Sequence, residues 1–291
     1  MSATLRELTQ SHPCYAQGKP GTGGRVHLPV SPGCNIFCRF CDRKLCADEK
    51  RPGVARTVQT PQAAMAHLRK AVHLCPDIKV IGIAGPGETL HTPHALETFR
   101  LAAQEFPTLL KCMSTNGLLL AEKADALIAL NIDALTVTVN AVDPHILAQI
   151  CDGIVYQGQT ILGAEAADKL IQNQLAGIRK VAGAGMTVKI NIVLIPGVND
   201  QHVPLVAKSV HQAGAQMVNV IPLIPRHKCV SLPPPTCGQI ETARAHAEEW
   251  LSVFRHCARC RADAAGVPGG RDFAPQIYGD TKRAAHTFSH G

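Results

Sequence analysis

The chain has 291 residues, of which 46% are hydrophobic and 4% aromatic, and its formal net charge is +7. This length fits one large α/β domain with a mostly aliphatic core. The basic residues are scattered and form no long run, which argues against a nucleic-acid groove and suits anionic clusters or a carboxylate-bearing cofactor better.

The cysteine count indicates metal binding. Twelve cysteines are many for this length. Residues 1–7 lack the apolar stretch of a secretory signal, and no apolar run of about 18 residues predicts a membrane helix. We therefore expect a cytoplasmic protein with neither a membrane nor a nucleic acid as partner. In a reducing cytosol, clustered cysteines indicate metal ligands rather than disulfides.

The first segment of the chain is predicted to be a loop that leads into a strand. Residues 1–23 begin polar, become glycine-rich and carry His12 and Cys14. A strand is predicted over 25–30, with His27 on one of its faces. A hydrogen-bonded core histidine is the simplest interpretation of His27, although the small residues above it would leave room for something large.

Three cysteines follow this strand at short spacing. Cys34, Cys38 and Cys41 are separated by three and then two residues. Such a loop can wrap one corner of an iron–sulfur cube, whose usual ligands are thiolates. Three thiolates leave the fourth iron open, and open metal sites are the reactive ones. The alternative is a structural zinc site completed by Cys46 or Cys14, but zinc signatures usually pair Cys-x-x-Cys units.

The middle of the chain alternates between strand and helix patterns. After a charged loop with Cys46 and Glu49, strands are predicted over 79–84, 109–114, 134–140, 187–195 and 216–223. Helices are predicted over 60–72, 93–104, 121–130 and 166–182 and after 143–144 and 196–200, whereas 151–163 is predicted to be irregular. Six strand–helix units with apolar strands predict a parallel α/β sheet, either open or barrel-like.

Polar motifs follow the predicted strands, where such folds place their chemistry. The candidate cofactor-binding residues are Gly85, Gly87, Glu88, Ser114, Asn116 and Asn140. Each motif alone is weak evidence, because strand-to-helix connections and helix caps use the same residue types. Cys112 shares its strand face with Ser114 and should point into the sheet interior with it, although a buried free cysteine is equally compatible.

The composition changes after residue 223, where a proline-rich segment precedes a helix predicted over 238–254. The pair Cys257 and Cys260 follows, and half a zinc ribbon or a redox pair is the alternative to cluster ligation. Four cysteines without ligand spacing are interpreted as packing residues or free thiols: Cys75, Cys151, Cys229 and Cys237. The last 25 residues are predicted to form a surface tail.

The cysteine triplet, with Asn35 after its first cysteine and Phe40 before its last, resembles the radical S-adenosylmethionine (SAM) superfamily. The resemblance implies a partial (β/α)6 barrel with one 4Fe-4S cluster held by three cysteines and SAM. One electron from the cluster would cleave SAM to a 5′-deoxyadenosyl radical. The glycine-rich loop at 85–88 resembles the superfamily's SAM motif, in which carbonyls and Glu88 would hold the methionine ammonium.

Further stretches resemble the NifB family of nitrogenase cofactor assembly, in its form without a C-terminal carrier domain. They are 12–15, 34–41, 51–53, 82–87, 114–117, 195–200 and 255–264. The resemblance implies that two 4Fe-4S precursor clusters are fused into an eight-iron cluster, with a carbide from the SAM methyl group and an added sulfur. It implies an iron–sulfur scaffold donor, a ferredoxin- or flavodoxin-type electron donor and a carrier or scaffold acceptor as partners.

The same resemblance assigns ligands to the precursor clusters. His27, Cys46 and Cys112 would hold one precursor, with His12 as the alternative histidine. The flanking thiols, defined here as Cys14, Cys257 and Cys260, would hold the other. Glu49 would help to release or couple a precursor. Residues 16–24 depart from the family, which carries acidic, histidine and aromatic residues there.

The domain organisation follows from these assignments. We expect one domain over 1–291, with a barrel core over about 24–225 and extensions, 1–23 and 226–291, that close over the barrel mouth. A short closed barrel would allow the flanking thiols to meet, because its first and last strands are neighbours. Two other functions stay open: another radical SAM enzyme with auxiliary clusters, or an iron–sulfur carrier without SAM chemistry.

Overall fold

A computed structural model describes residues 3–16 and 23–279. The first element is a helix rather than the predicted loop: α1 (Leu5–Ser11) begins at Thr4, whose hydroxyl accepts from the Glu7 N–H while the Glu7 side chain accepts in return. This reciprocal capping box starts a helix too short to show an apolar period, so the pattern missed it. Most of the segment that departs from the NifB family, residues 17–22, lies outside the described residues.

The remaining elements follow in chain order. They are β1 (Gly24–His27), β2 (Ile36–Cys38), α2 (Pro61–Leu74), β3 (Ile78–Ile83), α3 (His94–Glu105), β4 (Leu110–Thr115), α4 (Leu120–Ala129), β5 (Ala134–Thr138), α5 (Pro144–Leu147), β6 (Cys151–Tyr156), β7 (Gln159–Leu162), α6 (Gly163–Gly183), β8 (Thr187–Leu194), α7 (Val203–Gln212), β9 (Met217–Pro222), α8 (Cys237–Glu248), β10 (Ser252–Val253), β11 (Ala265–Gly266) and α9 (Ala274–Tyr278). Two 3-10 turns, Asp200–His202 and His227–Cys229, complete the series.

The main sheet has the strand order β10-β9-β8-β5-β4-β3-β1-β11. Neighbours from β1 to β10 are parallel, and β11 pairs with β1 in the antiparallel direction. Six of the seven parallel strands, those from β1 to β9, are the predicted strand–helix units, and the predicted fold class, a partial (β/α)6 barrel, is confirmed. The sheet is open, however: β1 and β9 stand near opposite ends, and the expectation that first and last strands are neighbours was wrong.

The segment 151–163 is a hairpin rather than irregular. Strands β6 and β7 are joined by Gln157 and Gly158, both at positive φ, as a tight hairpin turn requires. Strand β2 pairs with β6 in a small antiparallel sheet, with Cys38 opposite Cys151. The hairpin therefore supports the cysteine loop.

The core is aliphatic, as the composition predicts. The parallel strands are nearly continuous apolar runs because helices cover them. Helix α6 lies close to α4, since Gly177 leaves no room for a side chain against Leu120. The contact between α4 and α6 helps to hold the sheet in place, and the polar motifs lie at the ends of its strands.

The C-terminal segment was partly mispredicted. The predicted helix over 238–254 ends at Glu248, and β10 follows it. The predicted surface tail contains α9, where Ile277 and Tyr278 are buried, and the Tyr278 hydroxyl donates to the His27 carbonyl at 2.6 Å. The prediction for residues 280–291 lies outside the described part of the chain.

Within the described residues, none of the helices combines the length and the apolar character that a membrane crossing needs.

Candidate functional site

The glycine loop lies directly against the cysteine loop. The Gly87 N–H donates to the Ser31 carbonyl at 3.0 Å, and the Glu88 N–H donates to the Gly33 carbonyl at 2.7 Å. A Cβ atom at position 87 would overlap the Gly33 carbonyl, so only glycine permits this approach. The structure thus joins two motifs that are 50 residues apart, as a shared cofactor site requires.

The buried carboxylate of Glu88 connects the ends of β3 and β4. It accepts from the Asn116 N–H at 2.7 Å, the Leu90 N–H at 3.0 Å and the Thr115 hydroxyl. Burial raises the pKa of Glu88, while the donors from Thr115, Asn116 and Leu90 oppose that rise. Glu88 therefore fixes the relative position of the glycine loop and the Ser114–Asn116 turn.

A pair of amides extends this connection to the cysteine loop. Asn116 Nδ2 donates to Asn35 Oδ1 at 2.8 Å, and the Ser114 carbonyl accepts from the Thr89 hydroxyl at 2.6 Å. Asn35 Nδ2 is buried without a hydrogen-bond partner among the described residues. An orphan donor of this kind is costly unless a bound group satisfies it.

Asn140 lies on the next strand end, and it does not cap the helix that follows. Its Oδ1 accepts from the Val193 N–H at 2.9 Å, and its carbonyl accepts from Asn199 Nδ2 at 2.9 Å. Asp143 caps α5 instead. The cap interpretation of Asn140 was therefore wrong, and the side chain holds β8 beside β5.

The three thiols of the triplet lie together at β2. Burial raises the pKa of Cys34 to about 12, with Cys41 adding to the rise and Arg43 opposing it. The pKa of Cys38 is raised well above its usual value, first by a hydrogen bond with Cys151 and then by burial. Cys34 and Cys38 are thus protonated at neutral pH unless a metal centre binds them as thiolates.

The arrangement does not favour zinc. Among the described residues, no three His, Cys, Asp or Glu side chains come close enough to share one metal ion. Zinc would hold every thiolate at about 2.3 Å from a single centre. An iron–sulfur cube binds each thiolate at a different iron and spreads the thiols further apart. Together with the orphan Asn35 amide, the donor set fits a three-thiolate cluster with a further polar ligand.

A cleft with a cavity volume of about 130 Å³ lies beside this site. Five of the six predicted precursor ligands line it: Cys14, His27, Cys112, Cys257 and Cys260. Ser114 and the alternative histidine, His12, line it as well. The cleft therefore brings together residues from before β1, from within the sheet and from the segment between β10 and β11, although the sheet is open.

Cys46 and Glu49 are not among the residues that line this cleft. The Cys46 carbonyl accepts from the Arg261 guanidinium at 2.8 Å, and the Arg261 carbonyl accepts from His27 Nδ1 at 2.8 Å. The Glu49 carboxylate is paired with Arg51 at 2.6 Å and with Arg226 at 3.2 Å. Glu49 is therefore held in an ion-pair network next to the cleft.

The two histidines differ in which ring nitrogen is protonated. His27 Nδ1 donates to a carbonyl, so its Nε2 keeps a lone pair; burial lowers the pKa of His27 to about 4, with Arg25 adding to the shift. His12 Nδ1 accepts from the Cys14 N–H at 3.0 Å, so its Nε2 carries the proton. Burial lowers the pKa of His12 well below its usual value. Only His27 is prepared to ligate a metal.

Sequence reasoning missed three residues at this site. Cys151 contacts Cys38 through a strand pairing that the predicted irregular segment concealed. Arg261 and Asp263 lie in the stretch that carries the family resemblance, but nothing in their spacing indicated a role. Asp263 accepts from Arg261 Nε at 2.7 Å and so orients the guanidinium that holds the Cys46 loop.

The fold and the paired cysteine and glycine loops define a radical SAM enzyme, and residues 28–210 match the radical SAM superfamily. Two solved structures share the fold at low identity. A radical SAM methyltransferase from Sphaerobacter thermophilus has a TM-score of 0.57 at 19% identity, covering 79% of this chain and 64% of that one. Streptococcus suis SuiB bound to S-adenosylmethionine has a TM-score of 0.58 at 12% identity, covering 79% and 49%.

Within the superfamily, the chain belongs to the NifB family. The FeMo cofactor biosynthesis protein NifB of Methanocaldococcus jannaschii is 41% identical over 283 residues, which are 97% of this chain and 94% of that protein. The protein of the same name from Klebsiella pneumoniae is 39% identical over 92% of this chain and 59% of its own length.

Proposed function

We propose that this radical SAM enzyme makes the eight-iron precursor of the nitrogenase iron–molybdenum cofactor. It would fuse two 4Fe-4S clusters, insert a carbide from the SAM methyl group and add a sulfur. The observation that carries the proposal is the cleft that gathers His27, Cys112 and the flanking thiols beside Ser114. A protein that only cleaved SAM would not need thiols from both before β1 and after β10 in this cleft.

Cys34, Cys38 and Cys41 would hold the resident cluster, and the charge of Arg43 favours the thiolate form of Cys34. Its buried guanidinium lies against this loop and donates to the Ile36 carbonyl. When bound, the cluster supplies the electron that cleaves SAM reductively. The chain itself would bind and orient SAM. The groups that would do so are the carbonyls of Gly85 and Gly87 and the polar side chains of Glu88, Ser114, Asn116 and Asn140.

The first precursor, as substrate, would bind to His27, Cys46 and Cys112. The free Nε2 lone pair of His27 supports this histidine over His12, whose Nε2 is protonated. Gly82 leaves the space that the His27 ring needs, since a Cβ there would lie 2.6 Å from the ring. Arg261 links the Cys46 loop to His27 through hydrogen bonds to both.

The second precursor would bind to the flanking thiols, Cys14, Cys257 and Cys260. Five of the six proposed precursor ligands share one cleft, and such proximity is what fusion of two substrates requires. Glu49 would couple or release a precursor from its position beside the Cys46 loop. The chain would form one domain in which the extensions, 1–23 and 226–291, close over the cleft. An iron–sulfur scaffold would donate the precursors, a ferredoxin or flavodoxin would donate electrons, and a carrier or scaffold would accept the product.

Iron and sulfide analysis of anaerobically reconstituted protein tests the cluster count. We expect close to three four-iron clusters per chain, and a maximum near one cluster refutes the proposal. Cys38→Ala should abolish formation of 5′-deoxyadenosine from SAM while the precursor clusters stay bound. Cleavage of SAM at the parent rate by Cys38→Ala would show that the triplet has another role, and no cleavage by the parent protein would favour a carrier.

Single alanine variants of the flanking thiols test the second precursor site. Each should lose the same cluster in electron paramagnetic resonance (EPR) spectra, with SAM cleavage retained and no eight-iron product. The double variant Cys14→Ala with Cys257→Ala should be no worse than either single variant, as expected of residues acting as a unit. Additive losses would mean that these thiols serve different sites.

A further inference from the structure

Several buried cations in this protein lack an anionic partner. The buried lysines and arginines among the described residues are Arg25, Arg43, Lys111, Lys189 and Arg261. Two of them pair with buried carboxylates, Asp133 at 3.9 Å and Asp263 at 2.7 Å. The other three form no ion pair with a carboxylate in the described part of the chain. A buried charge without a partner is costly, so each such cation needs an anion.

Lys189 points from β8 into the cleft. Its Nζ donates to the Cys14 carbonyl at 2.9 Å and lies 4.5 Å from the centre of the Tyr15 ring and 5.0 Å from that of Phe254. These contacts fix the ammonium group next to Cys14. They supply a carbonyl and two ring faces but no negative charge.

Arg25 approaches the same thiols from β1, at the other side of the sheet. Its Nη2 donates to Cys260 Sγ at 3.2 Å, and its Nη1 donates to the Gly266 carbonyl. Its Nε is buried without a partner among the described residues. The guanidinium is therefore held at the thiol by the backbone of β11, and one donor is still unused.

A third donor faces the cleft. His12 Nε2 carries a proton, is buried and has no hydrogen-bond partner among the described residues. Two cations and one N–H thus surround the flanking thiols. Arg25 and Lys189 also act electrostatically on His27 and Cys112, but their direct contacts are with Cys260 and the Cys14 carbonyl, and the further cation beside His27, Arg261, is neutralised by Asp263.

We propose that Arg25 and Lys189 are positioning residues that hold an anionic iron–sulfur cluster on the flanking thiols and raise its reduction potential. The inference rests on the proposed function, which puts a precursor there. A cluster on three thiolates carries one more negative charge than one on two thiolates and an imidazole. The two cations offset that charge, since cluster potentials depend on net charge and on hydrogen bonds to sulfur. The two substrates would then be held at more similar potentials.

The test isolates this cluster in a Cys38→Ala, Cys112→Ala background, which removes the other two proposed clusters. Lys189→Met and Arg25→Met remove the charges, whereas Lys189→Arg and Arg25→Lys retain them. Redox titration followed by EPR gives the potential, and a ferrous chelator gives the rate of iron loss. Lys208→Met is the matched control, because Lys208 is an exposed lysine that lies 5.3 Å from the Trp250 ring.

Each Met variant should favour the oxidised cluster about tenfold, a fall of about 59 mV for one electron, and should lose iron several times faster. The charge-retaining variants and Lys208→Met should stay near the background. Unchanged potentials in both Met variants would overturn the inference while leaving the cluster assignment intact, and so would equal shifts in the Met and charge-retaining variants. Absence of any cluster in the background protein would instead refute the proposed site.

Discussion

Asp263→Asn is expected to destabilise the folded protein by about 3–5 kcal/mol, the usual effect of breaking a buried ion pair on one side. The Asp263 side chain is fully buried. Its Oδ2 accepts from the Arg56 N–H at 2.7 Å and from Arg56 Nη1 at 3.0 Å, and its Oδ1 accepts from Arg261 Nε at 2.7 Å. An amide would leave two buried guanidinium groups without an anion and would point N–H groups at N–H donors.

Asp125→Asn is the matched control. Asp125 also pairs with a cation, Lys180, at 2.8 Å, but its side chain is 80% exposed. Exposed pairs contribute about 0–1 kcal/mol. The same chemical change should therefore have little effect at position 125, and the difference between the two variants measures the burial of the charge.

The assay is urea unfolding of protein prepared without iron, followed by circular dichroism, because bound clusters would spoil a two-state analysis. With a urea dependence of about 3 kcal/mol per molar, the Asp263→Asn midpoint should fall by about 1–1.7 M. In a separate sample reconstituted with iron, Asp263→Asn should also retain less iron, since Asp263 orients Arg261, which holds the Cys46 carbonyl. A midpoint shift no larger than that of Asp125→Asn would refute the reasoning.

Three further outcomes are expected. Lowering the pH from about 7.5 to 5.5 should destabilise the protein, because burial lowers the pKa of His202, whose Nε2 accepts a backbone N–H. The stabilisation by neutral His202 is complete above pH 6.5 and is lost as the pH falls through the pKa that His202 has in the folded protein. His202→Gln should reduce the loss of stability between the two pH values in denaturation experiments, and an unchanged loss contradicts this. Oxidised glutathione should cause a disulfide to form between Cys38 and Cys151 in cluster-free protein. The two residues are a non-hydrogen-bonded cross-strand pair, and the Cα atoms of such pairs are close enough for a disulfide. Peptide mapping that finds other cysteine pairs instead would contradict this prediction. Gly82→Ala should displace the His27 ring and lower iron content by about one cluster, and full iron content would show that the ring position is not needed.

The parallel strands were predictable because helices cover them. Covered strands are nearly continuous apolar runs, and such runs are visible in the sequence. The strand predicted over 79–84 is Ile78–Ile83, and the one predicted over 187–195 is Thr187–Leu194. The face shared by Cys112 and Ser114 was also correct, since both line the cleft. These features depend on local periodicity, which the sequence displays directly.

Features that depend on distant partners were not predictable in the same way. The hairpin at 151–163 is stabilised by β2, more than 110 residues earlier in the chain. Helix α9 is short, and its buried Tyr278 has its partner at His27. Nothing in the sequence distinguishes Lys189 and Arg25 from exposed basic residues, because their burial arises only when both sides of the sheet approach the cleft.

The pairing of β11 with β1 has a consequence for the order in which the protein matures. The N-terminal strand of the sheet leaves the ribosome first, yet its outer edge stays bare until Ala265 and Gly266 have been synthesised. Cys257 and Cys260 emerge only shortly before that strand. Domains begin to fold while synthesis continues, so the cysteine triplet can be enclosed by its hairpin well before the flanking thiols meet.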